Sequence, residues 1–164
     1  MQLGIDIEEP WPAGKWETLA AKVAKASAGV VSELTNPRLQ TSILFTTDEE
    51  VHVLNKEWRE RDKPTNVLSF PMLTRQELLG LEPDGPPAML GDIALAHETC
   101  AREAADKSIP IEHHTSHLII HGLLHLAGYD HVNSDAEAEK MESLEIAALA
   151  KLGIADPYKD RDIP

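Results

Sequence analysis

The sequence lacks several features that would each assign it to a broad class of protein. A single cysteine, Cys100, cannot form an internal disulfide, so a reducing compartment is expected and Cys100 is predicted to serve packing rather than catalysis. No apolar run approaches the ~18 residues of a transmembrane helix. Residues 1–20 show no basic segment followed by an apolar one, so no signal peptide is expected. These absences predict a cytoplasmic protein without membrane contacts.

Positive charge is also scarce. The 15 Lys and Arg residues face 28 Asp and Glu residues, for a formal net charge of −13. Because nucleic-acid binding through phosphate neutralisation needs a basic surface, this charge argues against general affinity for nucleic acids. A polyanionic substrate would have to bind at a local patch of basic residues. The densest basic segment holds four cations interleaved with acidic residues: Lys56, Arg59, Arg61 and Lys63.

The composition indicates one globular domain with a core of its own. The chain has 164 residues, of which 42% are hydrophobic and 26% charged. Capping patterns at Thr47 and Ser134 each open an amphipathic helix, and the first is predicted to bury Val51, Leu54 and Trp58. A helix from about Pro110 to Ala127 is apolar on almost every side and is predicted to be central. Strands are predicted at 2–8, 39–45, 67–70 and 90–96, with Gly91 as a bulge, and a long surface loop at 71–89.

Three histidines stand at metal-ligand spacing around the end of the central helix. His121 and His125 are four residues apart and therefore share one helix face. Gly128 can adopt the positive φ that ends a helix, so the chain can turn back and bring His131 to the same ion. Three protein ligands with one open position are typical of catalytic zinc, whereas a structural zinc normally has four. The spacing therefore predicts a catalytic metal site.

Two further residues near this motif are candidates for the chemistry. His117 lies on the same helical stripe but about 12 Å from His125 along the axis, too far to share one ion. It is predicted either to support the ligands or to face the substrate, with a plain pocket wall as the alternative. Asp130 is predicted to orient a ligand histidine or to assist proton transfer.

The sequence resembles the YbeY family of metal-dependent bacterial endoribonucleases that mature rRNA. The segment His121–His131 is similar to the family signature HGxLHLxGYDH, and further similarity covers Leu54-Asn55…Arg59, Lys63–Pro71 and Leu90–Ile93. These motifs occur in the family's order and span roughly residues 50–155. The resemblance implies an α+β fold, a single compact domain with a small mixed sheet surrounded by helices and zinc on the central helix and the following turn.

The resemblance also implies a function and a set of partners. It implies one zinc ion per chain, bound by His121, His125 and His131, with an arginine of the active site at Arg59. It implies cleavage of single-stranded RNA in 16S rRNA 3′-end maturation and ribosome quality control, with small-subunit ribosomal proteins and an assembly GTPase as partners. We predict residues 1–155 as the endoribonuclease domain and 156–164 as a short C-terminal tail.

Other interpretations remain open at the level of sequence. Zinc metalloproteases share the H-x3-H-x5-H spacing but carry their general base directly after the first histidine, where this chain has Gly122. A non-catalytic ribosome assembly factor with a structural zinc is the second alternative. Arg59 can equally be a favourable charge at a helix C-terminus. Neither the native metal nor the nucleophile, water or the RNA 2′-hydroxyl, follows from the sequence.

Overall fold

The computed structural model describes residues 1–12, 14–130 and 134–158. The strands are β1 (Gln2–Ile7), β2 (Leu39–Thr46), β3 (Val67–Pro71) and β4 (Ala88–Ala96). The helices are α1 (Trp16–Val30), α2 (Asp48–Arg59), α3 (Arg75–Leu79), α4 (His97–Asp106), α5 (Ile111–Leu126) and α6 (Asp135–Lys151). A short 3₁₀ turn follows α1 at Ser32–Thr35.

The four strands form one mixed sheet in the order β1-β2-β4-β3. Strands β1, β2 and β4 run parallel to one another, and β3 pairs with β4 in antiparallel orientation at the edge of the sheet. The pairing of β2 with β4 shifts by one residue between Gln40 and Thr41, beside Gly91. A Cβ at Gly91 would lie 2.4 Å from the carbonyl oxygen of Phe70, so only glycine fits there. The bulge at Gly91 and the α+β fold with a small mixed sheet are confirmed.

Apolar side chains pack on both faces of the sheet, because successive strand residues point to opposite sides. Ile93 and Leu95 of β4 join the main core together with the buried faces of α1, α5 and α6. Ala94 and Ala96 join a smaller cluster with Val51 of α2. Helix α5 therefore lies against one face of the sheet and α2 against the other.

Local sequence signals set several of the helix boundaries. The Thr47 side chain accepts a hydrogen bond from the backbone N–H of Glu50, and Ser134 does the same for Glu137. Such bonds satisfy N–H groups that a helix start otherwise leaves without partners. Cys100 is buried; burial, followed by the nearby Glu103 carboxylate, raises the pKa of its thiol to about 12. Its predicted packing role is confirmed.

Two predictions about the region beyond α2 are wrong. Trp58 is 72% exposed instead of buried, because it lies beside Leu54, Phe70 and Met72 along an open groove of about 420 Å³. The predicted loop at 71–89 contains helix α3. A complete capping box starts this helix, in which Thr74 accepts from the Glu77 N–H and the Glu77 carboxylate accepts from the Thr74 N–H.

The structure bears on the membrane and tail predictions in part. Among the described residues, no helix is long and apolar enough to cross a membrane. Residues 159–164 lie outside the described part of the chain, so the domain limits stay a prediction. Tyr158, inside the predicted tail, contacts His117 through its hydroxyl group.

Candidate metal-binding cleft

Helix α5 is buried along most of its length and lies close to the sheet. All residues of α5 from His114 to Ile120 are buried, and most of the residues after Gly122 are buried too. Gly122 permits this close approach, because a Cβ there would lie 3.0 Å from Cδ1 of Ile93 on β4. The sheet thereby fixes the rotation of α5 and, with it, the direction of its histidine stripe.

His121 and His125 point their Nε2 atoms at each other. The two atoms lie 3.0 Å apart. On the opposite side of each ring, Nδ1 is held by an acceptor: His121 Nδ1 lies 2.8 Å from Oε2 of Glu145, and His125 Nδ1 lies 3.0 Å from the carbonyl oxygen of Tyr129. The structure therefore brings together two of the three predicted ligands.

The hydrogen bonds of the two rings assign their tautomers. A carboxylate and a carbonyl oxygen only accept, so Nδ1 carries the proton in His121 and in His125. In neutral imidazoles each Nε2 then presents a lone pair, and two lone pairs 3.0 Å apart repel unless a proton or a metal ion lies between them. Two nitrogens of a tetrahedral zinc site are about 3.3 Å apart, given Zn–N bonds of ~2.0–2.1 Å. The pair therefore fits the metal that the sequence predicts.

The end of α5 explains how Tyr129 reaches His125. Gly128 has a φ of 98°, and the N–H of Tyr129 donates to the carbonyl of Leu124 while the N–H of Gly128 donates to that of His125. These bonds form a Schellman motif, which reverses the chain at the helix end. The predicted turn at Gly128 is confirmed. His131 lies outside the described residues, and within them no three potential ligands converge.

His117 lies behind the ligand pair, in contact with Glu145. Its Nε2 is 2.8 Å from Oε1 of Glu145 and 3.1 Å from the hydroxyl oxygen of Tyr158, which in turn donates to Glu145. His117 is not one of the described residues that line the cleft. This position favours support of His121 through Glu145 over contact with a substrate.

Glu145 of α6 is the acceptor that joins the two histidines. It is 1% exposed. Burial alone would raise its pKa, but hydrogen bonds from His117 and His121 outweigh burial and lower the pKa to about 2. The side chain is therefore a carboxylate, and it both orients His121 and strengthens it as a ligand.

An open cleft of about 710 Å³ connects the histidine pair with two arginines. Arg59, at the end of α2, and Arg61 line it together with His121 and His125, and Asp130 lies at the turn after α5. Neither guanidinium forms an ion pair within the described residues. The cleft also carries polar groups before and along β3, contributed by Thr65, Asn66 and Ser69.

Three residues of this site were missed by sequence reasoning. Glu145 stands on the buried stripe of α6 with Met141 and Ala148, and an acid at such a position is the signal that could have revealed it. Tyr129 acts through its backbone carbonyl, which leaves no mark in a sequence. Arg75 donates to the carbonyl of Ala127 over 2.7 Å, but it lies in a segment predicted as a loop.

Comparison with known proteins decides the family. The family model described as "Endoribonuclease YbeY" matches residues 7–153. The chain belongs to the YbeY family. Two YbeY relatives, both named endoribonuclease YbeY, come from Erythrobacter litoralis and Novosphingobium aromaticivorans. The first is 69% identical, and the alignment covers 98% of this chain and 99% of the relative. The second is 55% identical, and the alignment covers 98% of this chain and 97% of the relative.

A solved structure has a similar fold. The solution structure of a Thermotoga maritima protein aligns with a TM-score of 0.59 at 24% identity and covers 98% of this chain and 97% of its own. At that identity the likeness concerns the fold alone. It agrees with the α+β fold that the sequence predicts.

Proposed function

We propose that this protein is a metal-dependent endoribonuclease that hydrolyses single-stranded RNA. The observation that carries the proposal is the pair of facing Nε2 atoms of His121 and His125, 3.0 Å apart, in a cleft that also holds two arginines. The relatives named endoribonuclease support RNA as the substrate. His131 would complete the ligand set, and zinc is the proposed metal.

Four residues around the histidine pair have distinct roles in this proposal. Zinc, when bound, supplies Lewis acidity toward a phosphoryl oxygen and water. Glu145 and the Tyr129 carbonyl hold the two rings so that their Nε2 atoms face the ion. Arg59 offers a planar fork of N–H donors that suits two phosphate oxygens and stabilises the charge that develops on them. Asp130 orients a ligand histidine or accepts a proton during hydrolysis.

The cellular role in the proposal rests on family membership. We propose action in 16S rRNA 3′-end maturation and ribosome quality control in the cytoplasm, with small-subunit ribosomal proteins and an assembly GTPase as partners. A zinc protease is disfavoured, because the residue after His121 is Gly122 and a side chain there would press on Ile93 at 3.0 Å. The general base of such a metalloprotease is therefore missing at this position.

The test is cleavage of a labelled single-stranded RNA by the wild type and by His125→Ala, purified in parallel. We expect cleavage by the wild type only, together with loss of bound zinc from the variant. Equal cleavage by both proteins would indicate a contaminating nuclease. The metal would then be structural, and the protein a non-catalytic assembly factor, which its net charge of −13 would suit better.

A further inference from the structure

Asn66 lines the cleft directly before β3, and a chain of hydrogen bonds holds its side chain from the side away from the cleft. Its Nδ2 donates to Oε1 of Glu103 on α4 over 2.9 Å. The same oxygen lies 2.9 Å from Nε2 of His114 on α5. The backbone of Asn66 is fixed as well, since its carbonyl oxygen accepts from the Ala96 N–H at 3.0 Å.

This chain of hydrogen bonds determines which way the amide of Asn66 is turned. Burial opposes ionisation of Glu103, but hydrogen bonds from His114 and Asn66 outweigh burial and lower its pKa. An ionised carboxylate only accepts, so the NH2 group of Asn66 must face Glu103. His114 is buried and donates from Nε2, which keeps the carboxylate in place. The amide oxygen of Asn66 is consequently the end of the side chain left for the cleft.

A fixed acceptor has a definite use beside the scissile phosphate of RNA. Phosphate oxygens have no proton to donate, and the arginines of the cleft already suit them. The group of the RNA backbone that donates is the ribose 2′-hydroxyl, which DNA lacks. The hydroxyls of Thr65 and Ser69 also line the cleft, but a hydroxyl rotates and is not committed to accepting.

Resting on the proposed function, we infer that Asn66 is a specificity-determining residue whose amide oxygen accepts a hydrogen bond from an RNA 2′-hydroxyl in this cleft. Glu103 and His114 are positioning residues, because they act through Asn66. Two consequences follow for binding. A strand without the 2′-donor loses this hydrogen bond, and a protein without Asn66 no longer distinguishes the two strands.

The test is competition against cleavage of a labelled RNA. The competitors are an unlabelled RNA and a strand of the same sequence with 2′-fluoro groups, which accept but do not donate. For the wild type we expect the 2′-fluoro strand to inhibit roughly 3- to 10-fold less tightly than RNA, the worth of one neutral hydrogen bond. The ratio of the two inhibition constants, 2′-fluoro strand over RNA, measures this preference. In Asn66→Ala the ratio should fall to about one, because RNA binds more weakly while binding of the 2′-fluoro strand is unaffected.

Two further variants separate this role from a general effect on the cleft. Ser69→Ala, altered in the same cleft, should keep the wild-type ratio. Glu103→Ala, which leaves Asn66 present but unfixed, should lower the ratio partway, and it provides the answer if Asn66→Ala does not fold. A ratio near one in the wild type, or an Asn66 variant that keeps the wild-type ratio, would overturn the inference while RNA cleavage itself stands. A wild type that does not cleave RNA would remove the proposed function and this inference together.

Discussion

Arg59 is the residue whose charge matters most for the proposed reaction. It is exposed at the end of α2, lines the same cleft as the histidines, and forms no ion pair within the described residues. Its guanidinium therefore contributes little to folding. We predict that Arg59→Glu lowers RNA cleavage about 100- to 1000-fold, as removal of a donor at a developing charge does. Unfolding free energy should change by no more than about 0.5 kcal/mol.

The matched control is Lys56→Glu, which makes the same change of charge one turn earlier on α2 but outside the residues lining the cleft. Cleavage rates and thermal melting are measured for both variants. Similar activity losses in the two would indicate a general electrostatic effect. A large drop in melting temperature for Arg59→Glu alone would assign Arg59 to the C-terminus of α2 as a structural charge.

At the scale of single residues, the sequence predicts a side chain best when its spacing alone determines its direction. His121 and His125 are four apart on a helix, and the structure places their Nε2 atoms 3.0 Å apart. The acceptors behind them, Glu145 and the Tyr129 carbonyl, were not predictable in this way. Glu145 comes from a separate helix, and the backbone of Tyr129 is placed by the turn rather than by its side chain.

At the scale of elements, Arg75 connects α3 with the turn that ends α5. Its Nη1 donates to the carbonyl of Ala127 at 2.7 Å, and its Nη2 lies 2.9 Å from Oε2 of Glu33, which is largely buried. Its guanidinium also lies over the ring of Tyr129, 4.6 Å from the centroid. The short helix α3 thereby supports the segment that leads from His125 toward His131.

We predict that Arg75→Ala lowers the free energy of unfolding by roughly 1–3 kcal/mol, because it leaves the Glu33 carboxylate and the Ala127 carbonyl without this donor. Urea unfolding of the variant measures the loss. The control is Gln76→Ala, an exposed substitution in the same helix that should change stability by less than about 0.5 kcal/mol. Equal losses in both variants would mean that α3 itself, and not the contact of Arg75, sets the stability.

Elements with strong periodicity were predicted well, and the segment after α2 was not. Helix α3 has only five residues, too few for an apolar period to show, and a proline- and glycine-rich stretch follows it. Trp58 has the spacing of a buried residue relative to Val51. The groove that Trp58 faces is open, however. The helical period therefore predicts correctly which way the side chain points but wrongly that it is buried.

At the scale of the whole molecule, the order of the strands is a result of packing that no local pattern contains. Strand β4 pairs with both β2 and β3, so the third strand along the chain becomes the edge beside the cleft. Periodicity predicts that these strands exist but not which of them are neighbours. The mixed sheet was expected only from resemblance to the YbeY family.

The distribution of charge over the whole molecule predicts a weak dependence of RNA binding on salt. The net charge is −13, and Arg59 and Arg61 are the basic residues among those described that line the cleft. Each phosphate contact on a single strand contributes about 0.7 to the slope of log affinity against log salt. Two contacts therefore predict a slope near −1.4.

The slope is measured by fluorescence anisotropy of a labelled single-stranded RNA with His125→Ala, which should bind RNA without cleaving it. Arg61→Ala in the same background should reduce the slope by about 0.7, since one phosphate contact is lost. A slope steeper than about −4 would mean that RNA contacts several cations beyond the cleft. The acidic surface would then contain a second basic path, and the cleft would be only part of the RNA site. A shallow slope would instead mean that an acidic protein contacts the RNA phosphates mainly through the two arginines of the cleft, with the rest of its surface turned away from the strand.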